Sequence, residues 1–267
     1  MQSIPASIEN EGRRPSVFLT GATSGIGAAL ARHYAARGAT LGLAARRGDT
    51  LAALAATLPT QAYIYALDVS DAAALARAGA DFMARTGVPD IVIANAGVSV
   101  GTLTEASEDA DAIDTVIHTN VIGMINTLRP FIAPMRDAGR GRLVGIASVA
   151  GIRGLPGAGA YSASKAAVIA YLESLRVELH ESGVKVVTLA PGYIETPMTA
   201  VNAYPMPFML SAAEAARRMA RIIAAGRSYA VVPWQMAIVA KLLRLLPNPL
   251  FDRLFAHAGR KPRGLRI

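Results

Sequence analysis

Short hydrophobic runs alternate along most of this chain with longer stretches in which apolar residues recur at helical spacing. The runs hold about four to seven residues each, apolar at nearly every position, and they lie at 16–20, 40–45, 62–67, 90–95, 142–148, 184–190 and 229–233. Strands that are buried on both faces of a sheet have this continuous pattern. The spacing between the runs favours helices at 26–37, 72–85, 113–136, 163–181 and 212–225.

The repeated order of strand, helix and strand predicts an α/β fold. Such units join parallel strands through right-handed crossovers, and helices then cover both faces of the sheet. Neither a Pro/Gly/Ser-rich linker nor an internal repeat divides the chain. We therefore predict one doubly wound parallel sheet of about seven strands over residues 15–233, with a flexible segment at 1–14 and a C-terminal helical extension with a basic tail at 234–267.

Polar residues and glycines end these hydrophobic runs. Ligands of doubly wound sheets bind outside the C-terminal ends of the strands, so these run ends are the candidate site. They read Thr20-Gly21, Arg46-Arg47, Asp68-Val69, Asn95-Ala96-Gly97, Ser148 and Pro191-Gly192.

A glycine-rich loop follows the first run and leads into the first predicted helix. Its glycines allow a tight turn and a close approach of the backbone to a pyrophosphate, and amide groups at the helix start then face the anion. A plain strand–helix turn is the alternative, but the position after the first buried strand favours nucleotide binding. The loop residues are Gly21, Thr23, Ser24, Gly25, Ile26 and Gly27.

Two arginines end the second run. A dinucleotide fold that prefers NAD places an acidic residue at this point, on the ribose 2′-hydroxyl. Here Arg46 and Arg47 stand instead, and guanidinium groups bind a 2′-phosphate bidentately and stack on adenine. We predict NADP(H) as the cofactor, with Arg46 as the main contact and Arg47 as a second; the alternative is that both arginines only solvate a helix start.

A tyrosine and a lysine, Tyr161 and Lys165, lie four residues apart on a predicted helix. This spacing puts both on one helix face, where the ammonium group would favour the phenolate and lower the tyrosine pKa toward neutrality. Ser148, at the end of the fifth run, would hydrogen-bond the same carbonyl oxygen as the phenol. Each feature alone is more often structural than catalytic, so their conjunction carries the prediction.

Together these residues resemble the short-chain dehydrogenase/reductase family over about residues 15–233. The glycine loop has that family's T-G-x-x-x-G-x-G spacing and not the T-G-x-x-G-x-x-G of its extended branch, and Ser148, Tyr161 and Lys165 have its order. The resemblance implies a Rossmann fold. It adds Asn120 as a fourth catalytic residue, which bends the helix at 113–136 and holds a water in a proton relay.

The same resemblance implies further cofactor contacts. Asp68 and Val69 stand where family members place an Asp near the adenine amino group, although Asp68 could equally be a helix N-cap. Lys165, beside Tyr161, would hold the nicotinamide ribose hydroxyls. Two motifs complete the set, an N-A-G that packs under the cofactor and a P-G-x-x-x-T that binds the carboxamide: Asn95, Ala96 and Gly97, then Pro191, Gly192, Ile194 and Thr196.

The resulting functional prediction is an NADP(H)-dependent oxidoreductase that transfers a hydride between nicotinamide and a carbonyl or secondary alcohol of a fairly apolar small molecule. The segment 201–210, with Met206, Phe208 and Met209, would form an adaptable substrate loop, or else pack against helices. The alternatives are a non-enzymatic NADP(H) sensor or scaffold, and a reductase of lipid-like substrates at a membrane surface. The resemblance also implies a homodimer or homotetramer.

Composition and charge narrow the class of protein further. The absence of cysteine excludes a disulfide scaffold, a zinc ribbon and thiol catalysis. The four histidines are scattered, so no metal site is predicted. Residues 1–14 are charged and lack an apolar signal-peptide core, and no run is long enough to span a bilayer, so we expect a cytoplasmic protein.

The net charge of +8 comes from the C-terminal fifth of the chain. Residues 217–267 hold eleven Lys and Arg against the single acid Asp252. Nucleic-acid binding is not expected, because aromatic residues are few and no recognition motif occurs. In the extension, four apolar residues at helical spacing lie among the basic residues Lys241, Arg244 and Arg253; they are Leu250, Phe251, Leu254 and Phe255. Two interpretations remain open: the helices cover the substrate cleft or a dimer partner, or they lie in a membrane surface.

Overall fold

A single parallel sheet of seven strands forms the centre of the computed structural model, which describes residues 14–264. The strands are β1 (Ser16–Thr20), β2 (Thr40–Ala45), β3 (Ala62–Ala66), β4 (Ile91–Ala94), β5 (Gly141–Ile146), β6 (Val184–Pro191) and, last in the chain, β9 (Tyr229–Val232). Their order across the sheet is β3-β2-β1-β4-β5-β6-β9, with every neighbouring pair parallel. Two short strands, β7 (Ile194–Glu195) and β8 (Leu210–Ser211), pair separately.

Helices connect these strands and cover both faces. They are α1 (Gly25–Ala35), α2 (Gly48–Ala56), α3 (Ala72–Thr86), α4 (Ala110–Ile117), α5 (Gly123–Asp137), α6 (Gly159–Glu178), α7 (Pro197–Ala200), α8 (Ala212–Ala224), α9 (Trp234–Leu245) and α10 (Asn248–Phe255). A π-helical turn, His118–Ile122, joins α4 to α5. The predicted doubly wound Rossmann-type fold is confirmed. The predicted flexible segment lies outside the described residues apart from Arg14, as do the last three residues of the basic tail.

Hydrophobic side chains fill two layers, one on each side of the sheet. Val17 and Leu19 of β1 belong to the layer that includes Leu30 of α1 and Met219 of α8. The residue between them, Phe18, faces the opposite layer and packs on α3 and α5, with ring centroids 5.6 Å from Phe82 and 5.0 Å from Phe131. Continuous burial on both faces explains why the inner strands, such as β1 and β4, show no alternation in sequence. The two edge strands, β3 and β9, are only partly buried, so the predicted burial on both faces is wrong for them.

Several elements differ from the sequence-based prediction: β7, α7 and β8 were not predicted, and three longer helices differ as follows. Helix α2 was not predicted, because only Leu51 and Leu54 of its nine residues are buried and its apolar pattern is short. The helix predicted at 113–136 is interrupted by the π-helical turn that contains Asn120. Helix α6 begins at Gly159, which places Tyr161 in its first turn. Strand order reverses between β1 and β4, so the crevice at this point is the expected ligand site.

Candidate active site

A groove of about 300 Å³ opens at the reversal of strand order, beyond the carboxyl ends of the strands. We call it the nucleotide groove. Most residues predicted to bind a cofactor line it: Gly21, Thr23, Ser24, Gly25, Ile26, Gly27, Arg46, Arg47, Asp68, Val69, Asn95, Ala96, Gly97, Tyr161, Lys165, Pro191 and Thr196. The topology therefore brings together residues that are up to 175 positions apart in the sequence.

Close backbone approach requires glycine in the loop between β1 and α1. Gly21 has a φ of +69°, and a Cβ atom there would lie 2.7 Å from Cα of Ala96. A Cβ atom on Gly27 would lie 2.1 Å from the carbonyl oxygen of Gly21. The side chain of Asn95 donates to the carbonyl oxygens of Thr20 and Gly21, at 3.0 and 3.2 Å. The loop is thus held in shape by the end of β4.

The start of α1 is open to an anion. Ser24, at its N-cap, makes no side-chain capping hydrogen bond, and the first turn contains no acidic residue. The amide groups of this turn and the positive end of the helix dipole therefore remain available to a phosphate. Arg47 reaches the same loop and donates to the hydroxyl of Thr23 at 3.0 Å.

Asp68 lines the groove and does not cap a helix. Its carboxylate accepts from the backbone amide and the hydroxyl of Ser70, at 2.8 and 2.7 Å. Partial burial opposes ionisation, but these two hydrogen bonds and the charge of Arg46 lower the pKa of Asp68 below its ordinary value. The N-cap of α3 is Asp71, which accepts from the amide of Ala74. The N-cap alternative for Asp68 is therefore wrong.

The donor set fits a dinucleotide. A glycine cradle lies against a helix N-terminus without a side-chain cap, two guanidinium groups lie on one rim, and a carboxylate and an N-A-G turn lie along the floor. These groups match the phosphates, ribose hydroxyls and adenine of such a ligand.

Two predicted cofactor residues lie outside the nucleotide groove. The side chain of Ile194 is buried in the hydrophobic layer that contains Met219. Gly192 lines a neighbouring cavity, where a Cβ atom would lie 2.6 Å from Met236. Pro191 and Thr196 line the nucleotide groove on either side of these two residues, so the implied contact of this segment with a bound cofactor, through Thr196 and the backbone after Gly192, stays a prediction.

The neighbouring cavity, of about 400 Å³, is mainly apolar, and we call it the apolar cleft. Ser148 lines it, and Tyr161 lines both this cleft and the nucleotide groove. The Ser148 hydroxyl accepts from the amide of Ala150 at 3.1 Å, which fixes the turn after β5. Tyr161 thus stands between the nucleotide groove and the apolar cleft.

Burial controls the ionisation of Tyr161. It raises the pKa of the phenol above its ordinary value, while a hydrogen bond with Ser148 acts in the opposite direction. The ammonium nitrogen of Lys165 lies 5.8 Å from the centre of the tyrosine ring and donates to the carbonyl oxygen of Ile146 at 2.9 Å. The predicted lowering of the tyrosine pKa by Lys165 is therefore wrong for the chain by itself, because desolvation outweighs the attraction of a cation directed elsewhere.

Lys165 is itself buried, which lowers its pKa to about 8. It lies beside Asn120 at the N-A-G turn, since a Cβ atom on Gly97 would lie 3.4 Å from the lysine nitrogen and 3.0 Å from Oδ1 of Asn120. A side chain at this position would therefore crowd both polar groups. The turn therefore joins the cofactor residues to the predicted catalytic residues.

Asn120 lies in the π-helical turn and is buried. Its Oδ1 accepts from the amide of Val98 at 2.8 Å, and its Nδ2 donates to the carbonyl oxygen of Val98 at 3.0 Å and to the hydroxyl of Ser164 at 2.9 Å. The interruption of the predicted helix at this residue agrees with the bend that the resemblance implied. Both amide protons are used within the protein, so one lone pair of Oδ1 remains for a water.

The C-terminal extension forms one wall of the apolar cleft. Met236, Val239, Ala240 and Leu243 from α9, with Phe255, face the cleft, and Lys261 lies at its edge. One of the two open interpretations, that the extension covers the cleft, is therefore found for the inner face of these helices. The predicted substrate loop contributes Asn202, Tyr204, Pro205 and Pro207. Phe208 and Met209 are instead exposed, so their predicted place in the pocket is wrong.

Several lining residues were missed by sequence reasoning. Val98, Thr119 and Met198 line the nucleotide groove, and Arg153 and Tyr193 line the apolar cleft. Val98 directly follows Gly97 and Thr119 directly precedes Asn120, while Met198 lies two residues after Thr196, and this proximity to predicted motif residues is the signal that could have found them. Arg153 carries no such signal, because its hydrogen-bond partners Leu243, Leu246 and Asn248 lie 90 or more positions away in the sequence. Within residues 14–264, no group of three His, Cys, Asp or Glu is arranged to hold a metal ion, and no helix is long and apolar enough to cross a membrane.

The chain resembles proteins of known family in both sequence and structure. The sequence model described as "short chain dehydrogenase" matches residues 15–204. An "Uncharacterized oxidoreductase" from Myxococcus xanthus is 39% identical over 240 residues, which cover 89% of this chain and 94% of that protein.

Two further matches differ in what their names specify. The "2-dehydro-3-deoxy-L-rhamnonate dehydrogenase (NAD(+))" of a Sphingomonas species is 40% identical over 181 residues, covering 68% of this chain and 72% of that protein. A crystal structure of a short-chain type dehydrogenase/reductase from Mycobacterium marinum superposes with a TM-score of 0.77 at 25% identity, covering 88% of this chain and 99% of that one.

The family match extends over most of the chain, and it includes the glycine loop, the N-A-G turn and the Ser, Tyr and Lys positions. This protein therefore belongs to the short-chain dehydrogenase/reductase family of oxidoreductases.

Proposed function

We propose that this protein is an NADP(H)-dependent oxidoreductase that interconverts a carbonyl group and a secondary alcohol on a fairly apolar small molecule. One observation carries the proposal: Tyr161 lines both the nucleotide groove and the apolar cleft, with Lys165 on one side and Ser148 on the other. A proton donor between a nucleotide site and an apolar site suits carbonyl reduction.

Each catalytic residue has a separate proposed role. In reduction, Tyr161 donates its phenolic proton to the carbonyl oxygen, and Ser148 donates a hydrogen bond to the same oxygen. NADPH held in the nucleotide groove would supply the hydride. Lys165 would hold hydroxyl groups of its nicotinamide ribose, and Asn120 would position a water that returns a proton to Tyr161. The raised pKa of Tyr161 supports this direction, because the phenol is protonated at neutral pH.

Arg46 and Arg47 support the preference for NADP(H). Both are exposed on the rim of the nucleotide groove, directly after β2, where no acidic residue stands to repel a 2′-phosphate. The Sphingomonas relative is named as an NAD(+) dehydrogenase, so the family match alone does not decide the cofactor. The argument rests on the two guanidinium groups of this chain.

A panel of ketones, aldehydes and secondary alcohols, run in parallel with NADPH/NADP⁺ and NADH/NAD⁺, tests the reaction and the cofactor together. We expect turnover of apolar substrates with a higher kcat/KM for NADPH than for NADH. Arg46→Ala should reduce this ratio by about 10- to 100-fold, since one bidentate phosphate contact is worth on the order of 1.5–3 kcal/mol. The exposed Arg77, on α3, provides the control variant Arg77→Ala. An unchanged ratio in Arg46→Ala would refute the role of that residue.

A non-enzymatic NADP(H) sensor or scaffold is the rival function. The presence of Ser148, Tyr161 and Lys165 together argues against it, because a sensor needs the nucleotide groove but not a proton donor. Tight NADPH binding with no turnover across the whole panel would favour the sensor.

We further propose that the protein works in the cytoplasm as a homodimer or homotetramer and that its C-terminal extension contacts a membrane surface. Sedimentation equilibrium over a range of protein concentrations tests the assembly, and a monomer throughout would contradict it.

A further inference from the structure

The outer face of α9 carries a stripe of large apolar side chains. Trp234, Ile238, Leu242 and Leu245 follow one another at spacings of four, four and three residues, so they share one helix face. Their exposed fractions are 64, 51, 61 and 78%. Leu250 and Leu254 of α10 are also exposed. We call these six residues the apolar stripe.

The inner face of the same helices is already occupied. Met236 and Ala240 of α9 are buried, and together with Leu243 they line the apolar cleft. Helix α9 is thus apolar on two faces, of which one covers the cleft. Within residues 14–264, no side chain packs against the outer face of α9 closely enough to bury it. Contiguous exposed apolar surface of this kind marks an interaction site.

A basic groove adjoins the stripe at Trp234. Arg217, Arg218, Arg221 and Arg227 line a shallow groove together with this tryptophan. Glu214 is the one acid that lines it, and it pairs with Arg217 and Arg218 at 2.6 and 2.5 Å. The groove therefore keeps a positive excess of three charges. Lys241 and Arg244 are exposed beside the stripe on α9.

Large apolar side chains next to unbalanced arginines fit the surface of an anionic bilayer. The acyl chains of such a bilayer accommodate the apolar side chains, and its lipid phosphates bind the guanidinium groups. A second copy of the chain would bring the same positive excess to the contact, and like charges oppose it. Nucleic acid would satisfy the arginines but would leave six large apolar side chains without a partner.

We propose that the apolar stripe and the basic groove together form a docking surface for an anionic lipid bilayer, with α9 and α10 lying in the plane of the interface. Trp234, Ile238, Leu242 and Leu245 enter the boundary between headgroups and acyl chains, and Arg221 and Arg227 bind lipid phosphates. This inference deepens the proposed membrane contact and does not depend on hydride transfer.

The protein carries its own probe for this contact, because Trp234 is the only tryptophan in the chain. Tryptophan emission of the full chain is measured while vesicles are added, either of phosphatidylcholine alone or of phosphatidylcholine with phosphatidylglycerol. We expect a shift of the emission to shorter wavelength and co-sedimentation with the anionic vesicles only. Both should weaken in 0.5 M salt, because the Debye length then falls to about 4–5 Å and the charges are screened.

Substitutions separate the apolar contribution from the ionic one. Leu242→Ser with Leu245→Ser should reduce binding to anionic vesicles at least 10-fold, and Arg221→Ala with Arg227→Ala should remove the preference for anionic lipid. The controls are Val177→Ser, an exposed apolar residue on α6, and Arg77→Ala, an exposed arginine on α3. Circular dichroism checks that each variant is folded, and turnover in solution, where substrate is known, should not change in the leucine variants.

Three results would overturn the proposal. The first is unchanged emission and no sedimentation with anionic vesicles. The second is an equal response to duplex DNA and to anionic vesicles, which would reduce the surface to a general polyanion site. The third is an emission already at short wavelength without vesicles, together with a dimer that Leu242→Ser with Leu245→Ser dissociates, because the stripe would then belong to a second copy. Loss of turnover with vesicle binding intact would count against the proposed reaction only.

Discussion

Desolvation acts on the two central residues of the site in a way that favours their neutral forms. Tyr161 and Lys165 are both buried, so the pKa of the phenol rises and the pKa of the amine falls to about 8. Within residues 14–264, burial is the only cause found for the shift of the Lys165 pKa, so no carboxylate raises it again. A protonated tyrosine and a weakly basic lysine are therefore the state in which the chain meets its ligands.

Removal of the phenolic hydroxyl should abolish turnover and leave nucleotide binding intact. Tyr161→Phe keeps the ring that lines both cavities but has no proton to donate, so we expect kcat to fall by about 100-fold or more. NADPH fluorescence titration measures binding, and the substrate panel measures turnover. Tyr229→Phe, at the edge of the sheet and outside both cavities, is the matched control. Turnover retained in Tyr161→Phe would disprove the assignment.

Burial of Lys165 should make the free energy of unfolding depend on pH in the alkaline range. The pKa of Lys165 is about 8 in the folded protein and 10.5 in the reference state, so between these values the unfolded chain binds more protons. Relative to Lys165→Met, the free energy of unfolding of the wild type should therefore rise from pH 8 to 10.5, by about 3 kcal/mol. Chemical denaturation at several pH values measures this difference.

The control for this prediction is the exposed Lys185 of β6. Lys185→Met should follow the wild-type curve across the same pH range. A constant difference between the wild type and Lys165→Met would show that burial does not disfavour the charged amine.

At the scale of elements, one arginine attaches the C-terminal helices to the sheet domain. Arg153 donates to the carbonyl oxygens of Leu243 and Leu246, the latter at 2.6 Å, and to the side chain of Asn248 at 3.0 Å. Its guanidinium group also lies 3.8 Å from the ring centre of Phe251. A cation at the carbonyl end of α9 satisfies groups that a helix end leaves without partners.

Loss of this arginine should loosen the wall of the apolar cleft. Arg153→Ala leaves the terminal carbonyl groups of α9 to water, so we expect about 2 kcal/mol less stability and faster hydrogen exchange in residues 243–251. Exchange measured by mass spectrometry locates the change. Arg85→Ala, which removes an exposed ion pair with Asp81, should leave this exchange as it is. Unchanged exchange in Arg153→Ala would mean that packing alone holds the helices.

At the scale of the whole molecule, the tail after α10 returns across the sheet domain and lines the apolar cleft with Ala258, Gly259 and Lys261. The amide of Gly101 donates to the carbonyl oxygen of Pro262 at 2.9 Å, and Lys261 donates to the carbonyl oxygen of Met198 at 2.7 Å. Arg263 pairs with Glu108 at 2.8 Å and with Asp109 at 2.7 Å. Residues far apart in sequence thus hold the tail at several points.

Release of the tail should weaken the binding of apolar substrates more than catalysis. In Arg263→Ala the two carboxylates lose their cation, and we expect KM for the best panel substrate to rise several-fold while kcat changes by less than about twofold. Arg253→Ala, an exposed residue of α10, is the control. Equal steady-state constants in Arg263→Ala and the wild type would show that the tail does not close the cleft.

Local patterns predicted the sheet and the nucleotide groove well for a physical reason. A strand buried on both faces needs an apolar residue at nearly every position. Glycine is needed at position 21 because the backbone there approaches Ala96, and at position 27 because it approaches the carbonyl oxygen of Gly21. Both requirements act within a few residues of the chain. The direction of the Tyr161 pKa was predicted wrongly, because burial depends on segments that pack from elsewhere.

The sequence by itself determined the order of strands and helices, the glycine-rich loop after β1 and the positions of the polar residues at the strand ends, since each depends on the spacing of neighbouring residues. Only the tertiary structure decided that Ile194 faces the core, that Phe208 faces solvent, and which side of α9 covers the cleft. Helix α9 is apolar on both sides, so its sequence favours neither face. The contacts of Arg153 and the returning tail select one, because they are made between residues about 90 to 160 positions apart.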